Sequence, residues 1–82
     1  MAHQKDLLIA ARAEALFASG RSATAYMTKT EVSDAIRCAI VRYGGVRACA
    51  GEVAAAYGDC PETAAPRMRW AREIVIFMYS RG

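Results

Sequence analysis

Apolar side chains recur every three or four positions along four stretches of the chain, and glycine, threonine or proline fills the gaps between them. That period predicts helices, because 3.6 residues per turn bring such positions onto one face. The first helix is expected from about Gln4 to Ser19, with Leu8, Ile9, Ala13, Leu16 and Phe17 on its apolar face and Gly20 ending it. Arg21 to Met27 reads as a loop. The second helix opens at "MTKTEV", where Thr28 and Glu31 have the spacing of a capping box and Met27 and Val32 that of a hydrophobic staple. Val32, Ile36, Ala39, Ile40 and Tyr43 form its face, Arg37 and Arg42 fall outside it, and Gly44 with Gly45 stops it.

The third helix is expected from Val46 to Tyr57, burying Val46, Cys49, Ala50, Val53 and Tyr57 and closing at Gly58. Its small residues, Gly51 and Ala54 to Ala56, suit the close approach of another backbone. Asp59 or Cys60 caps the fourth helix, and Pro61 and Glu62 suit its first turn. Pro66 removes one hydrogen bond and crowds the carbonyl of Glu62, so this helix either kinks there or begins near Ala65. Met68, Ala71, Val75 and Met78 then form one stripe, with Trp70, Ile74 and Phe77 beside it. The expected fold is all-α: a compact bundle of four helices, the last kinked near Pro66, in a single domain spanning residues 1 to 82.

A chain of 82 residues buries only about 60 to 65% of its unfolded surface, which is marginal for a lone core. The stretch "IVIFMY" from Ile74 to Tyr79 is apolar on every side. Its excess predicts a homodimer with Ile74, Phe77 and Met78 at the interface; a fully buried central helix, or a short strand, is the competing expectation.

The formal charge is +3, and the second half carries the excess. Residues 1 to 34 hold four basic and four acidic side chains, whereas residues 35 to 82 hold seven arginines against four acids. Such asymmetry fits an electrostatic footprint for nucleic acid and serves an acidic protein partner equally well. With 18 alanines, and nine arginines against two lysines, the composition points to a GC-rich bacterial or phage genome.

Other chemistry is thinly represented. Asp6, Arg12 and Glu14 interrupt the first apolar run before a signal peptide or a spanning segment can form, so a cytoplasmic protein without a membrane segment is expected. Cys38, Cys49 and Cys60 form no CxxC pair and the single histidine is His3, which leaves no zinc framework, no disulfide expectation and no cofactor. Cys38 and Cys49 are expected as buried small hydrophobes. No nucleophile, base and orienting group converge, so neither an enzyme nor a small-molecule substrate is expected.

"EVAAAYGDCPETAAPRMRWA" resembles a helix-turn-helix DNA-binding domain in outline. Val53, Ala54 and Tyr57 match its first helix, Ala54 being the small contact residue, and Gly58 matches the turn. The resemblance implies that Thr63, Arg67 and Arg69 face DNA and that Arg47 holds a phosphate. Two features depart from the pattern: a turn of three residues puts Arg67 at an apolar position, and a turn one residue longer puts Pro66 inside the recognition helix. The wider stretch from Arg42 to Ala71 is similar to small alanine- and arginine-rich proteins of actinobacteria and their phages. Two functions therefore stand side by side: a DNA-binding regulator, and a small interaction protein with a basic surface for an acidic protein partner.

Overall fold

The computed structural model describes residues 2–79, with side chains from residue 6 onward. Four helices follow one another: α1 (Ala2–Ala18), α2 (Lys29–Tyr43), α3 (Val46–Asp59) and α4 (Pro61–Tyr79). No strand occurs among the described residues. Helix α1 packs against each of the other three, and α3 packs against α2 and α4.

Local chemistry accounts for most of the boundaries. Thr28 caps α2: its Oγ1 accepts from the Glu31 N–H at 3.2 Å, and the Glu31 carboxylate accepts from the Thr28 N–H at 2.8 Å. Buried Met27 stands just before this box and buried Val32 just inside the helix. Thr28→Ala is expected to lower stability by about 1 kcal/mol, seen as an earlier midpoint in urea with an unchanged slope. At the other end, Gly44 (φ 90°) and Gly45 (φ 142°) both send their N–H to the Ile40 carbonyl, at 3.0 and 2.8 Å. Two successive residues in that backbone region suit glycine alone, so a side chain at either position strains the α2–α3 turn.

Helix α3 runs past its expected end. Gly58 has no positive φ and stays helical with Asp59; Cys60 closes α3 by giving its N–H to the Ala56 carbonyl at 2.9 Å. The Cys60 carbonyl then accepts the Thr63 and Ala64 N–H groups, so this one residue ends α3 and starts α4. Helix α4 begins at Pro61, not near Ala65, and passes through Pro66 without ending. Pro66 and Glu62 are both exposed, where water can serve the carbonyl that loses its donor.

The core joins Ala13, Leu16 and Phe17 of α1, Val32, Ile36 and Ala39 of α2, Cys49 and Val53 of α3, and Ala64, Ala71 and Val75 of α4. Periodicity places all of these except Ala64, which lies N-terminal to the stripe expected on α4. It also fails at the ends of α3: Val46 is 43% exposed and Tyr57 38%. Tyr57 still stacks on Phe17, ring centroids 6.5 Å apart. Gly51, Ala54 and Ala55 are also exposed, and a Cβ added to Gly51 would meet nothing within 4 Å, so of the small residues expected to admit another backbone only Ala56 packs against the core.

Candidate functional site

The residues singled out from the sequence do not converge on one surface. Arg67 turns inward. Its Nε and one terminal nitrogen donate to the Phe17 carbonyl at 3.0 and 2.8 Å, and its guanidinium lies over the Phe17 ring (5.4 Å) and the Trp70 ring (4.9 Å). The last carbonyls of a helix lack intrahelical donors and carry its negative pole, so a forked cation is well matched to that end of α1. Burial pushes the Arg67 pKa below its ordinary value, but the guanidinium stays charged in the physiological range. Ser19 completes the end of α1, its hydroxyl donating to the Leu16 carbonyl at 2.6 Å. Arg67 thus fastens α4 to α1, a role that no local pattern announces.

Thr63 is exposed, and its hydroxyl donates to the Cys60 carbonyl at 3.1 Å within its own first turn. Arg69 and Arg47 are exposed, as is Arg72, and none of the three makes an ion pair among the described residues. Arg37 pairs with Asp34 on the surface of α2, and Arg42 lies over the neighbouring Tyr43 ring. The outward face of α4 has a mixed character. Glu62, Pro66, Arg69 and Glu73 follow one another at helical spacing, with Arg72 beside them, so two arginines share that face with two glutamates.

The three residues expected at a dimer interface divide in the same way. Ile74 and Met78 are half-buried and pack against the core, whereas Phe77 is 62% exposed. Tyr79 docks the end of α4 onto its neighbours: its hydroxyl is 2.6 Å from Ser33 Oγ of α2, and the Arg12 guanidinium of α1 lies 4.2 Å from its ring centre. Arg67 at Phe17 and Tyr79 at Arg12 show that α1 and α4 run in opposite directions. The first half of α1 therefore lies alongside the last turns of α4. Leu7 (69% exposed) and Leu8 (50%) on α1 and Ile76 (39%) and Phe77 on α4 are large apolar side chains left exposed on those segments.

Comparison with known protein families, curated proteins and solved structures finds no match for this chain. Its own geometry therefore carries the functional argument. Gly58 is helical and Ala54 exposed, so neither position takes the conformation or contact that the helix-turn-helix resemblance implies. No helix is long and apolar enough to cross a membrane among the described residues. Nor does any group of three or more His, Cys, Asp or Glu come together there in a way that suits a metal ion.

The cysteines differ sharply. Cys49 is fully buried; Cys38, expected inside, is exposed because it falls between the turns that carry Ile36 and Ala39 inward; Cys60 is half-buried with Sγ 3.4 Å from Glu62 Oε1. A thiol reagent is expected to modify Cys38 first and to reach Cys49 only on unfolding, as peptide mapping over time would show. Burial, with Glu14 and Glu52 nearby, raises the Cys49 pKa above its ordinary 9.0. The unfolded chain thus loses this proton at a lower pH than the folded chain does. Stability from this group is full below about pH 9 and falls as pH rises from there toward the raised folded value. Denaturant titrations should show that fall in the native chain and a smaller one in Cys49→Ala.

Proposed function

We propose that this chain is a small helical interaction module that acts through surface contact with another protein rather than through chemistry. The observation that carries this is the exposure of four large apolar side chains, Leu7 and Leu8 of α1 and Ile76 and Phe77 of α4, on a chain whose buried core is small. Arg69 and Arg72 are exposed on α4 within about two turns of Phe77, and aromatic and arginine side chains are the types that dominate interface energy.

The test is retention of proteins from an extract of the organism that encodes the chain, comparing the immobilised native sequence with Leu7→Asp/Phe77→Asp. One defined protein held near stoichiometry by the native sequence and lost from the variant supports the module. Equal retention by both chains, or none by either, overturns it.

A DNA-binding regulator is the second reading, and one observation favours it. Arg42 and Arg47 flank the glycine pair between α2 and α3, both exposed and neither bonded to a carboxylate among the described residues. In this reading Arg47, with Arg69 and Thr63, supplies the contacts, and affinity for mixed DNA fragments falls steeply with salt. Arg47→Glu should flatten that dependence; a salt slope equal to that of the native chain would remove Arg47 from the contact.

A further inference from the structure

We infer that Arg12 of α1, Lys29 and Ser33 of α2 and Tyr79 of α4 form a binding site for a phosphate-type oxyanion. This site shares no residue with the surfaces of the two functional readings and depends on neither.

Three helices bring the four side chains together. The Arg12 guanidinium lies 4.2 Å and the Lys29 ammonium 5.3 Å from the centre of the Tyr79 ring. Lys29 and Ser33 stand one turn apart on α2, and Ser33 Oγ is 2.6 Å from the Tyr79 hydroxyl. Two cations and two hydroxyls thus meet around one aromatic side chain.

Their charge is uncompensated. Two positive charges at one ring repel each other, and the negative ring faces offset that only in part. Neither Arg12 nor Lys29 makes an ion pair among the described residues. The acids of α2 are engaged elsewhere, Glu31 with the Thr28 N–H and Asp34 with Arg37. Asp6 and Glu14 on α1, and Glu73 on α4, stand off the faces that carry Arg12 and Tyr79. An anion held between the two cations removes the repulsion.

The hydroxyls give the anion a direction. Ser33 and Tyr79 carry one O–H each, and their mutual bond uses one of the two, so the other remains to donate outward. The forked guanidinium matches two oxygens of a phosphate, and the ammonium adds a point charge. A tetrahedral dianion has oxygens for all three donors, whereas a carboxylate has two oxygens and a single charge. Lys29 is exposed and the other three residues are half-buried, so the dissociation constant is expected to be on the order of 1 mM.

The test is a titration of the whole chain with sodium phosphate at about pH 7.5, where phosphate is mainly the dianion, following backbone amide resonances at fixed ionic strength. Saturable shifts centred on Lys29, Ser33 and Tyr79 are expected, with no such response to sodium chloride. Lys29→Gln should raise the dissociation constant roughly tenfold. Its side chain takes no part in the capping box, so helical circular dichroism should not change. Tyr79→Phe keeps the ring and removes one hydroxyl, and a rise of about threefold is expected. Arg42→Gln, at the other end of α2, should bind as the native chain does.

Shifts that rise without saturation, or that chloride reproduces, overturn the site. So does a Lys29→Gln chain that binds as tightly as the native one, or an Arg42→Gln chain that loses affinity to the same extent. A parallel titration with phosphoserine separates the two sources of the ligand. Binding at least as tight as that of inorganic phosphate supports a site for an esterified phosphate, and weaker binding supports a site for the free ion.

Discussion

Replacing Arg67 by methionine is expected to cost about 2 kcal/mol, which for a chain of this size lowers the thermal midpoint by roughly 8 to 16 °C. The guanidinium makes two bonds to the Phe17 carbonyl and covers the Phe17 and Trp70 rings. Methionine keeps part of the packing but leaves the end of α1 without its donors. Lysine restores the charge without the fork and is expected to recover less than half of the loss. Thermal and urea unfolding of the two variants would measure this. A near-neutral Arg67→Met would mean that water replaces the guanidinium at no cost, and would return Arg67 to the set of side chains free to bind a partner.

Leu16→Ala is expected to cost more, about 3 kcal/mol. Leu16 is fully buried on α1, the helix that touches all the others, so the cavity opens where the structure has least freedom to collapse. The total stability of 82 residues is on the order of 4 to 12 kcal/mol, so the variant should be partly unfolded at moderate temperature. Leu7→Ala provides the contrast. Leu7 is 69% exposed on the same helix, and its removal should leave folding stability nearly unchanged. Denaturant midpoints for the two chains check both statements; equal losses would mean that the first half of α1 is packed more tightly than its exposure indicates.

What the sequence reveals depends on how local each cause is. The capping box at Thr28 and the stop at Gly44 and Gly45 involve residues three to five positions apart, and both occur as expected. Helical spacing alone places Ala13, Leu16, Phe17, Val32, Ile36 and Ala39 in the core, whereas Leu8, expected on the same face of α1, is 50% exposed and Ala15 and Ala35 are buried outside the expected faces. Gly58 is different. Glycine ends a helix only where the backbone turns left-handed, and it also tolerates the helix interior at modest cost. Whether α3 stopped there depended on Cys60, which serves both α3 and α4. Cys38 was placed inside by residue type, while its angle on α2 points outward.

Arg67 shows where sequence patterns stop being informative. Its partner is a main-chain carbonyl 50 residues away, an acceptor that every residue type carries, so no pattern could mark the pair. The same holds for Tyr79 and Ser33, which join α4 to α2 across 46 residues. The apolar character of the last helix was visible, but which side chains the core would take was not. Ile74 and Met78 pack against the core beside buried Ala71 and Val75, while Phe77, two residues beyond Val75, falls on the opposite side of the helix and is exposed.

The helices are joined unequally, by residues 19–28 between α1 and α2, by Gly44 and Gly45, and by Cys60 alone. This asymmetry sets where the chain can change length. An insertion among the exposed residues Gly20 to Tyr26 lengthens a surface connection and leaves every core position in place. One extra residue beside Cys60 instead steps every α4 side chain about 100° around its axis, carrying the buried Ala71 and Val75 out of the core. Descendants of this sequence should therefore vary in length near Ser22 and hardly at all at the α3–α4 joint.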